Sequence, residues 1–117
     1  TDDGQLDLTV KMPKSLGGAG GATNPEQLFA AGYAACFLSA LKLVAGQKKV
    51  DLPDDAKIAA KVGLAKGDDG FSLAVDLKAD LPGVDAETTK SLLEAAHEVC
   101  PYSKATRGNI TVTLTAA

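Results

Sequence analysis

Apolar and polar residues alternate along four stretches of the chain, and each stretch reads as a strand with one face on a core. Leu6, Leu8, Val10 and Met12 alternate with Gln5, Asp7, Thr9 and Lys11. The period returns at Ile58, Ala60, Val62 and Leu64, and then at Phe71, Leu73, Val75, Leu77, Ala79 and Leu81. It appears last at Ile110, Val112 and Leu114. Alternation of this kind marks an antiparallel sheet with one wet face, because successive side chains point to opposite sides. "KGDDG" (66–70) lies between the second and third stretches and offers Gly and Asp where a hairpin needs positive φ.

Two helical segments separate these strands. The first opens at "TNPE", where Thr23 or Asn24 caps, Pro25 suits the first turn, and Glu26 follows Thr23 at capping-box spacing. It is expected to end near Ala45, with Gly46 as the stop. The second is capped by Asp85 and runs through "AETTKSLLEAAHEV" until Pro101 forbids continuation. Strand, helix, two strands, helix, strand is an α+β order: an antiparallel sheet with two main helices against one face.

The first helix is apolar nearly all round. Leu28, Ala31, Ala35 and Leu38 form one stripe, and Ala34, Phe37, Leu41 and Val44 form another. Phe29, Gly32, Tyr33, Cys36, Ala40 and Leu43 form a third. One sheet covers only one side of such a helix, so a second copy of the chain is the simplest cover. This predicts a two-fold homodimer packed around the helix.

Composition narrows the possibilities. A chain of 117 residues, with 45% hydrophobic and 23% charged residues, fits a single domain spanning residues 1–117. A net charge of −3 and a pI near 5.0 argue against nucleic acid or an anionic membrane as partner. Two cysteines, Cys36 and Cys100, do not make a disulfide-stapled scaffold, and one histidine, His97, does not complete a zinc set, so no metal is expected. The apolar run from Leu28 to Leu41 is too short to span a bilayer and reads as a core helix. No basic-then-apolar leader opens the chain, which suggests a cytoplasmic protein. The opening "TDDG" lacks a methionine, so an upstream N-terminal segment is expected.

Three motifs invite chemistry. "LGGAGGATNPE" (16–26) has glycines before a helix, but lacks the GK[ST] of a P-loop and the crossover of a dinucleotide fold. A tight connection is the better reading. His97 lies one turn before Cys100, where it forms a conceivable Cys–His pair but equally complements the end of the helix dipole. Cys36 sits in "AAGYAACFLSAL" (30–41), too far into its helix for the N-terminal dipole to reach. Apolar burial alone raises a thiol pKa, so Cys36 is either packing or a reactive sulfur awaiting a cation from elsewhere. Cys100, at a helix C-terminus, would be a poor first nucleophile and an adequate second one.

"NPEQLFAAGYAACF" (24–37) and "AHEVCPYSKATRGNI" (96–110) together resemble the organic hydroperoxide resistance proteins, the Ohr branch of the Ohr/OsmC family. The resemblance runs in order along essentially the whole chain. It implies an OsmC-like intertwined homodimer with active sites at the subunit interface. Cys36 matches the peroxidatic cysteine, which becomes a sulfenic acid, and Cys100 the resolving cysteine, which closes a disulfide with it. Glu26 matches the glutamate that orients an activating arginine. The implied substrates are alkyl and fatty-acid hydroperoxides. No bound cofactor is implied; the reductant is a dithiol, the dihydrolipoyl group of a lipoylated protein.

The residue-level reading agrees in part. Phe29, Gly32 and Tyr33 lie near Cys36 along its helix and suggest an apolar slot for an alkyl tail. Glu26 is ten residues from Cys36, about 15 Å along an unbroken helix, so it is expected to serve the Cys36 of a partner copy. The family's activating arginine precedes the glycine-rich stretch, whereas the one arginine here is Arg107. Lys11 and Lys14 lack its planar fork. The arginine is therefore expected in the upstream segment. The sequence predicts an organic hydroperoxide reductase. A catalytically impaired dimeric module and a protein thiol–disulfide exchanger are its rivals.

Overall fold

In the computed structural model, which describes all residues from Thr1 to Ala117, helix α1 (Pro25–Gln47) comes first. Strands β1 (Lys57–Gly67) and β2 (Gly70–Asp80) follow. Helices α2 (Ala86–Val99) and α3 (Pro101–Thr106) then lead to strand β3 (Thr111–Ala116). The sheet has three strands in the order β1-β2-β3. α1 packs on β1, α2 on β3, and the two helices on each other. The fold is α+β.

Local signals place most of these elements. β1 and β2 form a hairpin in which Gly67 faces Gly70 across a two-residue turn of Asp68 and Asp69, and Gly70 takes φ 107°. Asp85 caps α2 by accepting from the Thr88 N–H at 2.7 Å. At the start of α1 the capping box is displaced by one residue from expectation. Asn24 accepts from the Gln27 N–H at 2.9 Å, and Gln27 Oε1 accepts from the Asn24 N–H at 3.1 Å. Glu26 is thereby free of capping. α1 also runs two residues past Ala45, with Gly46 inside it and Lys49 taking the left-handed conformation, φ 57°.

Three strand and helix expectations need correction. The stretch from Leu6 to Met12 is not a strand: only Val10 bridges, to Thr23, and Leu6, Leu8, Val10 and Met12 are 44–57% exposed. Alternation prepares one apolar face, but a strand also needs a neighbour's backbone, which this chain does not bring to it. The sheet is mixed rather than antiparallel, since β3 runs parallel to β2 with Val75 opposite Val112. The α2–α3 crossover returns the chain to the same end of the sheet, a connection that strand periodicity does not encode. Pro101 ends α2, as expected, but also begins α3 at its first position, where a missing N–H costs nothing.

The core lies between the helices and one sheet face. Val75, Leu77 and Ala79 of β2 meet Tyr33, Phe37, Leu41 and Val44 of α1 and Leu92, Leu93 and Ala96 of α2 in one cluster. On the other sheet face Lys57, Lys61, Lys78, Thr111 and Thr113 face water. α1 is long and apolar enough to cross a membrane by length and composition, yet it supplies six buried residues to this core. Its far side stays open at Ala31, Ala35, Ser39 and Leu43. The accessible surface is 7569 Å², whereas a folded monomer of this mass exposes about 6,000 Å². The radius of gyration is 15.9 Å, against about 13 Å for a compact chain of this length.

Candidate active site

The two cysteines meet. Cys36 projects from the middle of α1 and is half-buried, while Cys100 is fully buried at the junction of α2 and α3. Their Sγ atoms are 3.6 Å apart, although 64 residues separate them in sequence. Cys100 closes α2 and caps α3 at once: its N–H donates to the Ala96 carbonyl at 2.8 Å, and its carbonyl accepts from the Lys104 N–H at 3.0 Å. Pro101 forces the break between the helices that turns this residue toward α1.

Aromatic rings close one side of the pair. The rings of Phe29 and Tyr102 stack at 6.4 Å, and Tyr33 meets each of them at 5.8 Å. Tyr102 lies against α1 at Gly32, one turn before Cys36; a Cβ there would come within 3.2 Å of the Tyr102 hydroxyl and 3.3 Å of its ring. Gly32 thus admits the Tyr102 ring rather than leaving empty space beside the sulfur. Tyr33 is fully buried, with its hydroxyl bonded to Ser103 and Thr106. Phe29 is half-buried, and Tyr102 remains 40% exposed. These two rings form a partly exposed apolar surface that reaches α1 at Gly32, one turn before Cys36.

Burial pushes the Cys36 thiol above the ordinary cysteine value. The Tyr102 backbone N–H opposes this rise, and the neighbouring Cys100 sulfur adds to it. His97 makes no hydrogen bond to either sulfur; its Nδ1 lies 2.7 Å from Ser103 Oγ. Burial first, and the charge of Arg107 second, hold His97 below the usual histidine value. That favours the neutral ring over the cation that would complement the end of α2. The Arg107 guanidinium donates to the His97 carbonyl.

The remaining predicted groups lie elsewhere. Glu26 is ten residues from Cys36 on an unbroken helix, about 15 Å along the axis. It is half-buried and lines an apolar groove of about 520 Å³ with Val10, Met12, Leu16 and Phe71. The glycine loop before α1 consumes its own donors: the N–H groups of Gly17, Gly18 and Gly20 go to the carbonyls of Lys14, Pro13 and Met12. It is a tight connection, not an anion cradle. Sequence reasoning overlooked Ser103 and Thr106, whose burial no periodicity announces in "PYSKAT".

Two thiols at contact distance can pass between dithiol and disulfide. A family model described as OsmC-like protein matches residues 18–115. The organic hydroperoxide resistance protein of Xanthomonas axonopodis pv. citri (strain 306) is 52% identical over 118 residues, covering 100% of this chain and 83% of that protein. The crystal structure of an organic hydroperoxide resistance protein from Elizabethkingia anophelis aligns with TM-score 0.92 at 51% identity, covering 99% of this chain and 84% of the other. That of OhrB of Bacillus subtilis aligns with TM-score 0.88 at 46% identity, covering 99% and 86%.

Proposed function

The chain belongs to the OsmC-like protein family, and from that premise we propose that it is a thiol-dependent peroxidase that reduces organic hydroperoxides to alcohols. Relatives at about half identity are named organic hydroperoxide resistance proteins. The observation that carries the reading is the 3.6 Å approach of Cys36 to Cys100.

The Cys36 thiolate attacks one oxygen of the O–O bond. That bond breaks, the sulfur is oxidised by two electrons to a sulfenic acid, and the other oxygen takes a proton and leaves as the alcohol. Cys100 then attacks the Cys36 sulfur, forming the disulfide and releasing water. Its burial fits this second role, and the half-buried Cys36 fits the first. An external dithiol, for which a dihydrolipoyl group of a lipoylated protein is the candidate, reduces the disulfide by exchange. The wall of Phe29 and Tyr102 receives the alkyl group, with Gly32 and the buried Tyr33 shaping it from behind.

The working unit is a homodimer. The exposed surface exceeds that of a compact monomer by about 1,600 Å² per chain, the scale of an obligate interface when counted on both partners. The open apolar residues Leu6, Leu8, Val10, Met12, Leu43 and Phe71 supply the material for it. Glu26 of one copy serves Cys36 of the other by orienting an arginine there. That arginine is not Arg107, whose guanidinium is engaged with the His97 carbonyl. A cation so delivered offsets the burial that raises the Cys36 thiol. The cycle suits the cytoplasm, where thiols are kept reduced.

Turnover of tert-butyl hydroperoxide with dihydrolipoamide tests this. Activity should vanish in Cys36→Ser, and Cys100→Ser should accumulate a sulfenic acid on Cys36. Dithiol exchange without peroxide consumption would instead identify a protein thiol–disulfide exchanger, and no reaction at all an impaired module.

A further inference from the structure

Close in sequence to the two cysteines lies a largely buried polar cluster whose hydrogen bonds the peroxide chemistry does not use. Three of its members stand three residues from a cysteine: Tyr33 before Cys36, His97 before Cys100 and Ser103 after Cys100. They belong to α1, α2 and α3 in turn, and all three meet at the Ser103 hydroxyl.

The hydrogen bonds in this cluster have only one consistent direction. Thr106 Oγ1 donates to the Ser103 carbonyl at 3.2 Å. Its proton is then spent, so at the 3.1 Å contact with Thr106 the Tyr33 hydroxyl must donate. Tyr33 has no second proton, so at 2.8 Å the Ser103 hydroxyl must donate to the Tyr33 oxygen. Ser103 is then spent as well, and the 2.7 Å contact with His97 requires a proton on His97 Nδ1. The cluster is a directed chain from His97 through Ser103 and Tyr33 to Thr106. No buried side-chain nitrogen or oxygen is left without a partner.

We infer that Ser103 is a positioning residue for disulfide closure, gripped by Tyr33 of α1 and His97 of α2 so that Cys100 stays within reach of Cys36. This rests on the functional reading above in one respect, that Cys36 passes through a sulfenic acid. In the step concerned, the Cys100 sulfur attacks the Cys36 sulfur and the S–O bond breaks. The departing hydroxide combines with the thiol proton as water. The cluster touches no reacting atom. It ties the α2–α3 junction to α1 through the hydroxyl of Tyr33, whose ring also meets Phe29 and Tyr102, and this limits how far Cys100 swings away. Two hydrogen bonds of ordinary net strength weight the in-reach orientation by roughly thirtyfold.

The test uses the whole reduced chain with one equivalent of tert-butyl hydroperoxide and dimedone as sulfenic-acid trap, read by intact mass. In Ser103→Ala, which removes both bonds, the ratio of trapped adduct to disulfide should rise by up to about thirtyfold over wild type at equal dimedone. Tyr33→Phe, which removes the acceptor for Ser103, should raise it as well. His97→Asn places an amide N–H near the lost Nδ1–H and should restore a ratio that His97→Ala disturbs, a rescue that a mere space-filling role would not show. Thermal melts identify any variant that fails to fold, in which case the remaining ones decide. His97 is the one histidine in the chain, so its ring ¹⁵N shifts need no assignment and should show the neutral tautomer protonated at Nδ1. A wild-type ratio in Ser103→Ala and Tyr33→Phe, or an unprotonated Nδ1, overturns the inference. If wild-type Cys36 gives neither adduct nor disulfide with hydroperoxide, the functional reading fails. Closure driven by diamide, which is reduced to its hydrazine as the disulfide forms, then decides the positioning role. Slower closure in Ser103→Ala supports it, and equal closure refutes it.

Discussion

Closing the Cys36–Cys100 disulfide should stabilise the fold by an amount that follows from chain length. The cysteines are 64 residues apart, and a cross-link over a loop of that size removes about 14 cal/mol/K from the unfolded chain, about 4 kcal/mol at 25 °C. For a chain of 117 residues each kcal/mol moves the midpoint by about 4 °C, which sets a ceiling of about 15 °C. By the same thermodynamic cycle the folded disulfide is harder to reduce than its unfolded counterpart by about 90 mV. Part of this is given back as strain, because the sulfurs must close from 3.6 Å to a bond of about 2.0 Å. A rise of between about 5 and 15 °C is therefore expected. The assay is thermal unfolding at fixed protein concentration, comparing protein oxidised by one equivalent of hydroperoxide with protein held in excess phosphine. Cys100→Ser is the control and should show no difference between the two. An oxidised wild type that melts at or below the reduced form would refute the reasoning, since the fold would then not hold the sulfurs where a bond closes cheaply.

Three further outcomes follow from the same geometry. In Cys100→Ser of this 117-residue chain, whose one arginine is engaged with the His97 carbonyl, iodoacetamide labelling of Cys36 should keep accelerating up to and beyond the ordinary thiol value of 9.0, because burial raises this thiol where no cation offsets it; a plateau well below that pH would contradict the desolvation account. His97 is depressed below 6.5 in the fold, so its contribution to stability is present above the unfolded value and is lost as pH falls through the lower folded value. Midpoints measured between about pH 7 and pH 5 should fall less steeply in His97→Asn than in wild type, and equal slopes would sink that attribution. Asn24→Ala removes one half of the capping box of α1 and should cost about 1 kcal/mol in urea unfolding, whereas Glu26→Ala, which leaves the box intact, should cost measurably less.

The sequence by itself determined the elements whose signals are local. Period-two runs at 58–64 and 71–81 became the hairpin, and Asp85 and Pro101 bound α2 as their backbone chemistry requires. The identity of the family was also legible, because two long motifs carry it. Tertiary structure decided what those signals leave open. The run from Leu6 to Met12 has the alternation of a strand and no neighbour, since pairing is a property of two segments and not one. β3 lies parallel to β2 because the α2–α3 crossover carries the chain back across the sheet, and alternation reads the same in either direction. The capping partner moved from Glu26 to Gln27, a one-residue shift that changes which side chain is left free. Ser103 and Thr106 carried no pattern, yet helix packing makes them the hub and terminus of a buried network. The contact between Cys36 and Cys100 belongs to the same class. Backbone geometry fixes periods of 2 and 3.6 within a few residues, but bringing residues 64 apart to 3.6 Å depends on how three helices pack, and only the folded chain specifies that.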